Sequence, residues 1–200
     1  MNKLLLATNN SNKLREIRQM LPDLEILSLE DMDINHEVIE DADTFAGNAL
    51  KKAAEIAAIS GIPTVADDSG LAVESLGGVP GVYSARYALD ECTDGNIDNA
   101  NNDKLLREMD GITDRRAKFV CALALVLPDG TQKIITEECH GEIGHQKLGT
   151  GGFGYDCLFF VPEYGCTTAQ MSASLKNMIS HRAKAIAKLI PLLKDLRIIK

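Results

Sequence analysis

Asp67 and Asp68 stand side by side after the apolar run Thr64-Val65-Ala66 and ahead of Ser69-Gly70. Successive side chains of an extended chain point to opposite sides, so one carboxylate of such a pair can hold a cation while the other faces protein. A hard, oxygen-lined site of this kind suits Mg²⁺. Asp-Asp-Ser-Gly is also good turn chemistry, and a turn between two strands is the plainer reading of these four residues. Upstream, Glu37, Glu40, Asp41 and Asp43 form a second acidic group. It reads as a solvated loop and helix cap, from which one acid can complete a cation's ligand set.

Three further stretches could meet an anion or a base. Thr8-Asn9-Asn10-Ser11-Asn12-Lys13 joins an apolar segment to a helical pattern, where backbone N–H groups and the positive helix end favour a phosphate and Lys13 adds a full charge. A polar cap with a surface lysine is the equal alternative, and no Gly-x-x-x-x-Gly-Lys loop is present. Gly149-Thr150-Gly151-Gly152-Phe153-Gly154 fits Gly-x-Gly-x-x-Gly. It runs into Tyr155-Asp156 and a strand instead of opening a helix, which rules out a dinucleotide fingerprint. Four glycines there require close backbone approach, to another chain segment or to a ligand, and Phe153 offers a stacking face for a base, although a lone Phe is more often core. Ser180-His181-Arg182 opens the last helical pattern, with Lys176 just upstream; read blandly these are surface cations, but Arg at a positive helix end calls for a compensating partner.

The elements that would position these residues follow from periodicity. Lys3–Thr8 reads as a buried strand and Ser11–Leu21 as a helix capped by Asn10 or Ser11. Leu24–Leu29 reads as a strand, and Thr44–Ser60 as an Ala-rich helix capped by Asp43 or Thr44 and stopped by Gly61 and Pro63. Thr64–Ala66 and Leu71–Ser75 are strands flanking the acidic turn. Asp98–Met109 is a helix, and Ala117–Leu127 and Thr131–Glu138 form a hairpin about Pro128-Asp129-Gly130. Cys157–Val161 is a strand, and Ser180–Leu196 is a helix bent or shortened near Pro191. The class is mixed α/β, helices packed on a mixed sheet, in a single domain spanning residues 1–200.

Composition narrows the functions. With 200 residues, 45% hydrophobic and 25% charged, the chain can bury a continuous core. A formal charge of −8 excludes a broad basic footprint for nucleic acid while leaving room for a small anionic ligand held by a few cations. The apolar N-terminal stretch is too short for a signal sequence or a membrane span. Five cysteines with no Cys-x-x-Cys pair read as buried thiols in a reducing, cytoplasmic setting. His36, His140 and His145 receive no metal role.

In order and wording these stretches resemble the inosine triphosphate pyrophosphatase family, the dITP/XTP pyrophosphatases. The resemblance rests on Leu6 to Asn10 with Lys13, Ala66-Asp67-Asp68-Ser69-Gly70-Leu71, Gly77 to Arg86, Gly149 to Asp156, and Ser180-His181-Arg182. It implies an elongated mixed α/β protein with two lobes around a central nucleotide-binding cleft, a homodimer. The implied activity is Mg²⁺-dependent hydrolysis of dITP, ITP and XTP or dXTP to monophosphate and pyrophosphate. It further implies that Thr8, Asn9, Asn10, Ser11, Asn12, Lys13 and Lys52 bind phosphates. Asp68 would be the base and a metal ligand with Glu40 as the second acid, and Ser69 would touch substrate. Phe153, Gly154, Tyr155, Asp156, Lys176, His181 and Arg182 would hold the nucleoside, with Arg182 donating to the 6-oxo group. The chain departs from the family wording at Asn9 and Asn12, where glycine is common, at Gly47 and Gln170, where glutamate is common, and at Cys157, where proline is common. Other readings of the same residues are a nucleotide-binding regulator without catalysis and a Maf-type pyrophosphatase acting on other bases.

Overall fold

The computed structural model describes residues 3–199. Their seven strands form one sheet in the order β2-β1-β3-β4-β5-β6-β7. β1 (Lys3–Leu6) pairs in parallel with β2 (Glu25–Leu27), placing Leu4 opposite Ile26, and in parallel with β3 (Thr64–Val73), placing Leu6 opposite Val65. β4 (Arg116–Val126) and β5 (Gln132–Ile143) follow, joined by a turn in which Leu127 N–H donates to Thr131 O at 2.9 Å. β6 (Phe159–Val161) pairs antiparallel with β5, and β7 (Cys166–Thr167) antiparallel with β6. The sheet is therefore mixed, as the sequence predicts: the pairs of β1 with β2 and β3 are parallel, and those of β6 with β5 and β7 are antiparallel. The helices are α1 (Ser11–Met20), α2 (Phe45–Ser60), α3 (Ile97–Glu108), α4 (Ala173–Ile179) and α5 (His181–Asp195).

The chain divides into two compact units. The first runs to Asp68 and includes Cys121–Glu137 and the chain from His181 on; the second comprises Ser69–Val120 and Glu138–Ser180. In the first unit, side-chain alternation along the strands gives each face its own core. Leu4 and Leu6, Val65, and Cys121, Leu123 and Leu125 pack with Ile17 of α1 and with Ala185, Ile186, Leu189 and Leu193 of α5. Their odd-one-out neighbours Leu5, Ala7, Ala66, Ala122, Ala124 and Val126 pack with Ala49, Ala53, Ile56 and Ala57 of α2. Helices on both faces explain why these strands read as continuous apolar runs. The second unit has one core, in which Leu71, Val73, Leu105, Met109, Tyr155 and Leu158 surround Phe119 and Phe159, whose ring centroids lie 4.4 Å apart.

Three expectations need correction. No turn separates Ala66 from Leu71: β3 runs unbroken from Thr64 to Val73, and the acidic pair lies in mid-strand. Cations from distant parts of the chain meet its charges, Lys13 and Arg182 at Asp67 and Lys52 at Asp68 Oδ1, so the pair does not need the solvent that a turn would give it. α5 is not shortened at Pro191 but continues to Asp195, because the missing N–H falls on an exposed position while Leu189 and Leu193 stay buried on the core side. β5 extends past Glu138 to Ile143. The short elements α4 and β7, and the 3-10 turn Gly81–Arg86, give no periodic signal.

Candidate active site

Strand parity sends the two aspartates to opposite faces of β3. Asp67 follows Val65 onto the α1/α5 face, and Asp68 follows Ala66 onto the α2 face. Asp67 is 0% exposed. Its Oδ1 lies 2.6 Å from Lys13 Nζ, and its Oδ2 accepts from Arg182 Nε at 2.8 Å and from Cys121 Sγ at 3.3 Å. Burial alone would push this carboxyl up, but the Arg182 and Lys13 charges outweigh it and hold it well below the usual carboxylate range. Arg182, 2% exposed, also donates through Nη1 to Glu16 Oε2 at 2.5 Å. The chain Glu16–Arg182–Asp67–Lys13 is thus a buried ionic network tying α1 and α5 to β3.

Asp68 has the opposite character. Burial and the nearby Glu40 and Asp67 carboxylates raise its proton affinity above the ordinary value, although the Lys52 and Lys13 charges oppose the shift. Its Oδ1 lies 3.4 Å from Lys52 Nζ, and its Oδ2 is buried with no hydrogen-bond partner among the described residues. A buried acceptor left in that state is unfavourable, and it fits a site where a bound cation or water completes the shell. Lys52, one helical turn along α2 from Asn48, donates to Glu40 Oε1 at 2.7 Å. Burial would lower its ammonium, but the Asp68 and Glu40 charges raise it. Asn48, 0% exposed, accepts the Ala42 amide at 2.9 Å and so holds the loop that carries Glu40. Lys13 and Lys52 both reach the backbone oxygen of Asp67, at 3.3 and 3.0 Å. Two ammonium groups, delivered from helices on opposite faces of the sheet, therefore meet beside the acidic pair.

The loop between β1 and α1 is organised by its own side chains. Asn10 caps α1, its Oδ1 accepting from Asn12 N at 3.0 Å and Lys13 N at 3.1 Å, and Thr8 Oγ1 accepts from Asn10 N at 3.1 Å. Two of the amides expected for an anion are thus engaged by the cap, which leaves Lys13 as this segment's cation beside the acids. Asn9 and Ser11 are exposed. Ser69 follows Asp68 along β3. Gly70 lies where a Cβ would meet Ser84 Oγ at 2.3 Å, so this stretch of β3 requires glycine.

In the second unit the glycine-rich loop makes its close approach to protein. A Cβ on Gly149 would sit 2.6 Å from the Ala169 backbone, and one on Gly152 would sit 2.0 Å from Asp156 Oδ2. Asp156 is the hub of that loop. It accepts from Lys176 Nζ at 2.6 Å, Phe153 N at 2.8 Å and Thr168 Oγ1 at 2.8 Å. Lys176 also lies 5.1 Å from the Phe153 ring centroid. Tyr155 is core, its hydroxyl donating to Ser84 O at 2.9 Å, while Gly154 is half-buried. His181 is buried at the start of α5. Among the described residues no three His, Cys, Asp or Glu groups cluster to hold a metal, and no helix is long and apolar enough to cross a membrane.

The description that fits this chain is the Ham1 family, whose model matches residues 4–192. The chain belongs to the Ham1 family. A Geobacter sulfurreducens protein named dITP/XTP pyrophosphatase is 49% identical over 199 residues, covering 98% of this chain and 96% of that one. A Clostridium tetani protein of the same name is 47% identical over 200 residues and 98% of each chain. The solved Ham1 protein of Staphylococcus aureus superposes with a TM-score of 0.86 at 38% identity, covering 96% of this chain and 98% of its own. A Mycobacterium abscessus structure described as nucleoside-triphosphatase / dITP/XTP pyrophosphatase gives 0.75 at 38% identity, covering 94% and 99%. In this Ham1 chain, a Cβ on Gly47 would lie 2.8 Å from Ala42 Cβ, so the loop carrying Glu40 packs against α2 more closely than a larger residue would allow. Glu16, Asn48 and Cys121 are the site's neighbours that sequence reasoning missed. Each sits in a helical or apolar run with nothing in its spacing to separate it from core.

Proposed function

We propose that this Ham1 chain hydrolyses non-standard purine nucleoside triphosphates (dITP, ITP, XTP and dXTP) to the monophosphate and pyrophosphate, in the cytoplasm, as a homodimer and with Mg²⁺. The observation that carries the reading is the mid-strand pair, with Asp67 locked in ion pairs and Asp68 left with a raised proton affinity and an open oxygen beside two lysines. Near-full-length relatives named for this activity support it.

Lys13 and Lys52 provide the charge that neutralises phosphate oxygens. Asp68 accepts the proton of the attacking water as its oxygen bonds to the α-phosphorus and the bond from that phosphorus to the bridging oxygen breaks, releasing pyrophosphate. Asp68 and Glu40 would hold Mg²⁺, which when bound supplies Lewis-acid polarisation of the phosphate oxygens. Two carboxylates suffice for this ion, since substrate phosphates and water fill the rest of its shell. Asp67, held well below the usual carboxylate range, keeps Lys13 in place. Ser69, Phe153 with Gly154, Lys176 and His181 take the substrate by family resemblance, while Tyr155 and Asp156 support that loop through the bonds described above. The cysteines form no disulfide among the described residues, which agrees with a reducing compartment.

The test is incubation with dITP and Mg²⁺, assayed for dIMP and pyrophosphate in equal amounts. A nucleotide-binding regulator would release neither, and stepwise phosphate release would point to another hydrolase. Asp68→Asn keeps the shape but cannot take a proton, so turnover should fall by about 10²-fold or more, with the protein still folded by circular dichroism. Near-parental turnover in that variant would remove Asp68 from the base role.

A further inference from the structure

We infer that Asp98 and Asn102, one turn apart on α3, are positioning residues that fix the conformation of the glycine-rich loop at Gly154 and thereby set substrate affinity. Gly154 N–H donates to Asp98 Oδ2 at 2.8 Å, and Gly154 O accepts from Asn102 Nδ2 at 2.9 Å. The first group belongs to the peptide between Phe153 and Gly154, the second to the peptide between Gly154 and Tyr155. Holding both peptide planes around one Cα fixes its φ and ψ. This matters here because Gly154 sits at φ +59°, a region that glycine can enter and leave freely. The clamp is therefore the restraint that a side chain at this position would otherwise supply.

The orientation of the Asn102 amide follows from its surroundings. Its NH₂ group also donates to Asp98 O at 2.7 Å, and two carbonyls can be satisfied only by the nitrogen side. Asn102 is 3% exposed, whereas Asp98 is exposed on the first turn of α3. A second tether from the same helix holds the other end of the loop. Lys147 Nζ lies 2.5 Å from both Asn99 Oδ1 and Asp103 Oδ1. Residues 98, 99, 102 and 103 form one helical stripe, and that stripe grips the loop before its glycines and at their end. On one side of Gly154, Tyr155 is anchored in the core. On the other, Phe153 is half-buried beside Lys176, with its N–H donating to Asp156 Oδ2 at 2.8 Å, so a loosened Gly154 shifts Phe153 more readily than it shifts Tyr155. The bonds of the clamp all run between residues of the second unit. Its effect should therefore fall on binding and spare the chemical step.

The inference rests on the reading above that Phe153 faces the nucleoside, and the experiment separates the two. Asp98→Ala and Asp98→Asn are compared with the parent by amide hydrogen exchange over residues 150–157 without nucleotide, and by kcat and KM for dITP. The expected result for Asp98→Ala is faster exchange in that segment and a KM raised about five- to tenfold, the loss of one hydrogen bond of ordinary strength, with kcat within about twofold. Asp98→Asn, which keeps an acceptor oxygen, should restore both. Unchanged exchange in Asp98→Ala would overturn the clamp, and so would faster exchange with an unmoved KM, or a fall in kcat together with thermal stability. If Phe153→Ala leaves KM unchanged while Asp98→Ala speeds exchange, the nucleoside reading of Phe153 has failed and the clamp is structural only. A parent that releases no pyrophosphate from dITP would refute the enzymatic reading, leaving the exchange data to decide the clamp.

Discussion

Adjacent identical residues have been given opposite tasks by the two faces of one strand. Asp67 is ionised and spent on structure, whereas Asp68 is protonated more readily and left with an open oxygen. Arg182 illustrates how far this depends on a partner. The family resemblance implies that it meets the base's 6-oxo group, whereas here it is buried and directs Nε and Nη1 at Asp67 and Glu16. Replacing it by Met would leave the Asp67 charge in the core with one partner fewer, and breaking a buried pair costs about 3–5 kcal/mol. For a chain of this size that lowers Tm by roughly 6–20 °C. The pH dependence has a definite sign. A carboxyl with a depressed folded pKa contributes stability that is present above its unfolded value and lost as pH falls through the folded one. The parent should therefore lose Tm on acidification more steeply than Arg182→Met, whose Asp67 is less depressed. Melting curves from pH 7 to pH 3 with both proteins check this. The ratio of kcat/KM for dITP and dATP in the same variant decides between the two roles: a narrowed gap would make Arg182 the base reader, and an unchanged gap would leave it the keeper of Asp67.

Among the elements, α2 is the one whose sequence announces it and whose consequences reach the site. Thr44 caps it, accepting from Gly47 N at 3.1 Å, and Gly61 ends it at φ +67°. Both signals are local, so both were legible. Its alanines pack on the strand alanines, and Asn48 and Lys52 lie one turn apart to hold Glu40 and reach Asp68. Removing an N-cap of this kind costs about 1 kcal/mol. Thr44→Ala should accordingly lower Tm by roughly 2–4 °C and leave kcat near the parental value, because Lys52 lies two turns beyond the cap. Calorimetry beside a turnover assay checks it, and a large fall in kcat would mean that the start of α2 governs the acidic loop directly. The mid-strand acids show what local pattern cannot reveal. Two aspartates inside an apolar run read as a turn because their support is distant: Lys13 lies 54 residues from Asp67 and Arg182 lies 115. The glycine-rich loop was half legible. Its composition demanded close approach, but only the fold shows that the approach is to Ala169 and Asp156. Helix α4 spans too few residues for a period to appear.

For the molecule as a whole, the question is whether its assembly depends on the ion its chemistry is proposed to need. In the first unit, Lys52 already joins Glu40 and Asp68 through one ammonium, and Asp67 is neutralised by Lys13 and Arg182. The acidic cluster is thus internally compensated, and folding does not require a cation to relieve repulsion between the carboxylates. The situation differs from small domains whose metal-binding energy is their folding energy. Asp68 and Glu40, the groups proposed to hold the ion, lie on β3 and on the loop between β2 and α2 of the same chain, so the proposed ligand pair takes no residue from a partner subunit. The proposed homodimer and the proposed Mg²⁺ site are therefore predicted to be separable. Excess EDTA should abolish pyrophosphate release from dITP, leave Tm within a few degrees, and leave the mass by light scattering at two chains. Restored Mg²⁺ should return turnover without a lag for reassembly. Turnover that survives chelation would overturn the metal assignment. A one-chain mass at micromolar concentration before any EDTA is added would overturn the dimer, and a mass that halves on chelation would show that the ion supports the interface after all.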